Sequence, residues 1–134
     1  MTKGISEWNG YAVYGDTREL EYIAETDGLI NLDKEDIISV LSAEGENYLT
    51  ASVNADLGEA FNQALIGLPC KLDNVNSLLI DFLYGKKQLK MSELSSIPAT
   101  LSEANTDTDV IWGVSSDETL GDSYKVILLA SVKE

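Results

Sequence analysis

Residues 75–84 read VNSLLIDFLY. Apolar and aromatic side chains occupy both alternating sets of this run. A strand with one wet face alternates apolar with polar residues, so this pattern predicts a central strand covered on both faces. Gly85-Lys86-Lys87 closes it. Upstream, Asp56-Leu57-Gly58-Glu59 has capping-box spacing and opens a helix in which Leu57, Phe61, Ala64 and Leu65 share a face, ended by Gly67 and Pro69. Before it, Tyr48 to Val53 reads as a strand. Earlier still, a helix over about 34–44 carries Ile37, Val40 and Leu41 at i, i+3 and i+4, widened by Ile38, with Gly45 where a cap glycine belongs. Downstream, Met91, Leu94, Ile97 and Leu101 form the stripe of a helix near 91–104, which Pro98 should kink or split.

Two strands follow, Val110 to Val114 and Tyr124 to Val132. The short acidic turn between them, Asp117 to Asp122, predicts an antiparallel hairpin, whereas the helices between the earlier strands favour parallel crossovers. The expected fold is therefore α+β, a two-layer α/β sandwich: a small mixed sheet of about four strands packed with two to three helices. Residues 1–27 are less regular. Tyr11 to Tyr14 is strand-like, 17–25 has the pattern of a short helix with Leu20 and Ile23 or Ala24 inward, and Thr26-Asp27-Gly28 is a turn. The chain divides into an N-terminal extension, 1–27, and a domain over 28–134.

Composition narrows the function. The 134 residues suit one domain, and 44 % are apolar, as in an ordinary globular protein. Nine basic residues stand against 23 acidic ones, a formal charge of −14. Such a surface repels nucleic acid and anionic membranes, and it favours a basic protein partner. No G-x-G or G-K-[ST] phosphate loop occurs, so no bound nucleotide is expected for this chain alone. With no histidine and one cysteine, Cys70, the sequence excludes a Ser-His-Asp or Cys-His pair, a Cys/His zinc site and an intrachain disulfide. Cys70 reads as a half-buried small apolar residue. The acids lack EF-hand spacing, so neither a metal nor another cofactor is expected. No apolar run reaches membrane-span length, and the first residues lack a signal-peptide core, which gives a cytoplasmic location as the expectation.

The segment GLINLDKED, residues 28–36, precedes the 34–44 helix. Asp33 is placed as an N-cap and Asp36 at the third helical position, where each contributes about 0.5–1 kcal/mol through capping or the helix dipole. The same segment is similar to the synergy loop, G-L-I-N-x-D-x-x-D, of the FtsZ/tubulin superfamily. Leu79-Ile80-Asp81-Phe82 with Gly85 resembles the family strand that ends in a glycine turn. Leu89-Lys90-Met91 with Glu93-Leu94 resembles the start of the helix after it. Asp109 to Val114, Asp117-Glu118, Leu120-Gly121-Asp122 and Val126 to Ala130 resemble the terminal hairpin. The chain thus resembles the C-terminal domain of that superfamily, FtsZ more closely than tubulin, over roughly 28–134. The family's nucleotide domain, with its G-G-G-T-G-T-G loop, has no counterpart in the sequence, and Lys34 and Glu35 stand where the family has an aromatic and a small residue.

The resemblance implies a role in trans. FtsZ subunits stack head to tail, and the synergy loop of one reaches the GTP of the next. Asn31, Asp33 and Asp36 would then orient and polarise the attacking water on a nucleotide that another chain holds. It implies no enzyme activity for the chain on its own. The expected function is a stand-alone interaction module that associates with an FtsZ-like GTPase, or with itself, and modulates filament assembly. The alternative is the C-terminal fragment of a bacterial cell-division GTPase that supplies the synergy loop in trans. An unrelated acid–base enzyme using Asp33 and Asp36 ranks last, because no second type of catalytic group accompanies them. Trp8 and Tyr11 to Tyr14 are expected to cover a surface that the family's nucleotide domain would bury, or to make a dimer contact.

Overall fold

The computed structural model describes residues 5–25, 32–43, 45–68, 74–87, 97 and 108–132. Its elements in chain order are β1 (Ile5–Trp8), β2 (Tyr11–Tyr14), α1 (Arg18–Glu25), α2 (Lys34–Leu41), β3 (Glu46–Asn54), α3 (Leu57–Ile66), β4 (Val75–Tyr84), β5 (Asp109–Ser116) and β6 (Tyr124–Val132). The strands form one mixed sheet in the order β1-β2-β3-β6-β4-β5. The fold is α+β, with six strands and three α-helices among the described residues. The two strands beyond the expected four come from residues 5–14. There Asn9 and Gly10 both take positive φ, 52° and 89°, and close a two-residue antiparallel hairpin with Trp8 opposite Tyr11.

Each face of the sheet carries its own apolar layer. Side chains alternate along β4, so Leu78, Ile80 and Phe82 pack with Leu57, Ala60, Phe61 and Ala64 of α3. Leu79 and Leu83 belong to the opposite layer, with Leu20 and Ile23 of α1 and Ile37, Val40 and Leu41 of α2. This is the double covering that VNSLLIDFLY implies. Trp8 and Val13 join the second layer, so the N-terminal hairpin extends the sheet and adds to the apolar layer under α1 and α2, and the Trp8 indole donates to Glu21 Oε1 at 3.0 Å. Trp112 meets Phe82 edge-on at 6.2 Å.

The terminal hairpin is not formed. β6 pairs antiparallel with both β3 and β4, and β4 in turn pairs parallel with β5, so β4 lies between the two strands expected to be partners. The reason is burial. From Val126 to Val132 every β6 residue is buried, and a hairpin with β5 would leave this run on the sheet margin. The acidic turn instead passes over the end of β4. The Asp117 amide donates to Tyr84 O at 2.8 Å and the Lys86 amide to Gly121 O at 2.7 Å. The parallel relation of β4 and β5 agrees with the crossover expectation. β3 and β4 also run parallel to one another, but with β6 inserted between them.

Two helix ends differ from expectation. α2 stops at Leu41 with Ser42 as its C-cap, and Gly45, at φ 138°, leads into β3 instead. Asp56 stands at the N-cap of α3 without a side-chain cap bond, so its capping-box spacing is not used. Its amide donates to Asn54 Oδ1 at 2.9 Å. Cys70, Asn31 and the 91–104 helix lie outside the described residues, apart from Ile97, which is helical and packs on the α3-side layer.

Candidate functional site

The start of α2 is built as a complete cap. Asp33 has extended backbone angles, φ −114° and ψ 178°, and its Oδ1 accepts from the Asp36 amide at 3.0 Å. Asp36 Oδ2 accepts from the Asp33 amide at 3.0 Å, so each aspartate satisfies one amide that the helix leaves open. Leu32 and Ile37, the positions that flank such a box with apolar contacts, are both buried in the α1/α2 layer and anchor the turn from beneath. Lys34 and Glu35 are exposed.

The two carboxylates therefore sit together at the protein surface, each using one oxygen for the cap. A hollow of about 310 Å³ reaches the first residue of α2, Lys34, and is otherwise lined by Trp8, Asn9, Glu21, Ala24 and Glu25. It brings the β1–β2 turn and the end of α1 to the start of α2. Among the described residues no group of three or more acids and cysteines is placed to hold a metal ion. The cap itself is testable. Asp33→Ala should lower stability by about 1 kcal/mol and Asp33→Asn by a few tenths at most, read from urea denaturation midpoints. Equal losses for the two variants would show that the cap bond is not what Asp33 contributes.

A second acid, Asp81 on β4, has no role in the sequence reading. It is 1 % exposed, on the α1 face between Leu79 and Leu83. The Ser115 hydroxyl, on β5, donates to its Oδ1 at 3.4 Å, and its Oδ2 has no hydrogen-bond partner. Burial pushes its pKa up to about 7, against the opposing effects of the Ser115 bond and the Lys125 charge. Lys125 Nζ lies 2.8 Å from Glu19 Oε2 and ties β6 to α1, while Tyr22 Oη donates to Ser116 O at 3.0 Å and ties β5 to the same helix. The signal for Asp81 in the sequence is a lone acid within a strand that is apolar on both faces.

No family model matches the sequence. Solved structures do match it. A dimeric, empty FtsZ of M. jannaschii superposes with a TM-score of 0.70 at 27 % identity, covering 84 % of this chain and 34 % of that one. A CetZ from Methanosaeta thermophila gives 0.71 at 16 % identity, over 87 % of this chain and 35 % of that one. TubZ of Bacillus thuringiensis serovar israelensis, in GDP-form protofilaments, gives 0.59 at 14 % identity, over 81 % and 31 %. The chain has an FtsZ/tubulin-type fold, and its FtsZ-like likeness is to the C-terminal part of those proteins. It spans about a third of the length of the solved structures it matches. These include archaeal proteins, so the likeness is not confined to the bacterial setting expected from the sequence. Among the described residues no helix is long and apolar enough to cross a membrane.

Proposed function

We propose that this chain is an FtsZ-like protein-interaction module that associates with an FtsZ-like GTPase, or with itself, and modulates filament assembly. The observation that carries this reading is the surface-exposed, capped start of α2, where Asp33 and Asp36 stand together on an FtsZ-like fold. A cap needs only one oxygen from each aspartate, so the same residues remain able to face a partner. The TubZ match, itself a structure of protofilaments, supports assembly as the setting.

A second reading is favoured by the fraction of each match that is covered. In it the chain is one part of an FtsZ-like cell-division GTPase and presents the synergy loop to a nucleotide on a neighbouring chain. Asn31, Asp33 and Asp36 then orient the attacking water, and the chain alone hydrolyses nothing.

Co-sedimentation with FtsZ filaments, combined with a phosphate-release assay, tests both readings. The chain is expected to pellet with the filaments. Under the second reading it also raises GTP hydrolysis, and Asp33→Asn, which keeps a cap but loses the charge, removes that increase while still pelleting. Failure to pellet, together with a single-subunit mass in solution, would overturn the interaction reading. Pelleting with unchanged hydrolysis would overturn the in-trans one.

A further inference from the structure

The α1 face of the sheet carries an acid and a cation that are neighbours but not partners. Alternate residues of a strand share a face. Leu79 and Leu83 therefore place Asp81 on the α1 side of β4, and Ile127 and Leu129 place Lys125 on the same side of β6. The register sets Asp81 opposite Ile127 and Leu83 opposite Lys125, so Asp81 and Lys125 are diagonal neighbours, a separation that a long side chain spans. Lys125 is committed elsewhere. Its Nζ lies 3.0 Å from Oε1 and 2.8 Å from Oε2 of Glu19, and both side chains are 22 % exposed. Asp81 keeps its bond from Ser115 and an Oδ2 without a partner.

Few charged groups surround Asp81. α1 contributes Glu19 and Tyr22, β6 contributes Lys125, and β5 contributes the Ser115 hydroxyl. α2 packs on this face through Ile37, Val40 and Leu41, and its charged residues, Lys34, Glu35 and Asp36, lie in its first turn. Asp16, Arg18 and Asp117 line a hollow of about 300 Å³ with Glu19, Tyr22 and Lys125, and Arg18 is paired with Asp16 at 2.8 Å. Glu118, Lys86 and Lys87, in the turns at this end of the sheet, are exposed. The charges that act on Asp81 are those of Lys125, which opposes its proton, and Glu19, which favours it.

We propose that Lys125 is shared between two carboxylates: it holds Glu19 while Asp81 is protonated, and it turns to Asp81 when that proton leaves, which loosens the first turn of α1. An ionised, unpaired carboxylate in the apolar layer is costly, and a cation one diagonal away offsets that cost. Glu19 lines the hollow and is hydrated there instead. The exchange replaces one ion pair by another and releases one proton to solvent. Its mechanical effect is local. The amides of Glu19, Leu20 and Glu21 bond to Asp16 O and Thr17 O, ahead of the helix, so this turn relies on the Glu19–Lys125 tether. Leu20, Ile23 and the Tyr22 bond to Ser116 keep the rest of α1 seated. Glu19 also walls a cleft of about 650 Å³ beside Leu49 and Thr50 of β3, so the exchange gives that surface two shapes. The tether is intact below about 7, where Asp81 is neutral, and is lost as pH rises through that value.

Carbon NMR of the carboxyl groups, on the full chain, tests the exchange. Asp81 should titrate with a midpoint of about 7. Glu19→Gln leaves Lys125 to Asp81 alone and should lower that midpoint, whereas Lys125→Met should raise it. The amides of Glu19, Leu20 and Glu21 should exchange equally in the native chain and in Asp81→Asn at about pH 5, and several-fold faster in the native chain at about pH 8. Comparison at equal pH cancels the intrinsic dependence of exchange on hydroxide. In Lys125→Met the turn should be loose at both pH values. Midpoints that neither variant moves would overturn the proposal, and so would an Asp81 that stays protonated at about pH 9. Equal exchange in the native chain and Asp81→Asn at about pH 8 would overturn it too. Loosening that still depends on pH in Lys125→Met would show that Asp81 acts without Lys125, which is equally fatal. If Asp81→Asn fails to fold, by circular dichroism, the two midpoints decide alone.

Discussion

Replacing Asp81 with asparagine is expected to stabilise the chain at about pH 8 and to leave it slightly less stable at about pH 5. The folded carboxyl holds its proton up to about 7, whereas an unfolded one releases it near 3.8. Between those values the folded state binds more protons, so the native contribution is intact below the lower value and falls as pH rises through the upper one. The full loss is on the order of 4 kcal/mol, since each unit of displacement is worth about 1.4 kcal/mol. Asparagine cannot ionise and escapes that loss. It still accepts from Ser115, but it places an amide N–H₂ where Oδ2 has no partner, a cost of about 1–3 kcal/mol at every pH. Urea midpoints of the two proteins, plotted against pH, should therefore cross. Parallel curves would assign the pH dependence to other carboxylates.

Gly85→Ala should cost about 2–3 kcal/mol, a large effect for one methyl group at a half-buried turn. A Cβ at Gly85 would press into the carbonyl oxygen of Gly121 and lie 2.8 Å from its amide nitrogen. Both opposing atoms are backbone, so no side-chain rotation relieves the clash. The segment from Asp117 to Ser123 must then lift from the end of β4 and give up the Lys86–Gly121 hydrogen bond. Gly121→Ala is a control of a different kind. Nothing lies within 4 Å of a Cβ there, so only its backbone conformation, φ 60° and ψ −120°, opposes the change, at a cost of about 1–3 kcal/mol. Thermal denaturation of both variants measures the difference. Equal losses would show that strain rather than close approach governs this crossing.

The sequence was most legible where periodicity and burial agree. VNSLLIDFLY occupies β4 residue for residue, and the stripes of α1, α2 and α3 face inward as their spacing requires. Pairing was less legible, because a short turn between two strands indicates a hairpin only if no third strand competes for the place. Here β4 lies between β5 and β6. The β1–β2 hairpin carried a readable signal, Asn9-Gly10 between two short runs, and both residues take the positive φ that such a turn needs. At the candidate site, the reciprocal bonds of Asp33 and Asp36 follow from their spacing at a helix start. Asp56 and Glu59 show the limit of that inference, since the same spacing forms no side-chain cap on α3. Asp81 was hidden because a period count treats one acid as noise, while its burial depends on strands distant in sequence.

The position of β6 bears on how the chain reaches its native state. Among the described residues it is the last of six strands in sequence, yet it joins β3 to β4. As synthesis proceeds, the β1-β2-β3 ribbon and the parallel β4-β5 pair emerge as two separate pieces of sheet, each with an unfilled margin. They become one sheet only when Tyr124 to Val132 has left the ribosome and inserted between them. Such distant pairing is slow to form, and the waiting margins are open to other strands. Assembly of the sheet should therefore wait for β6, and the nascent chain should engage chaperones until it arrives.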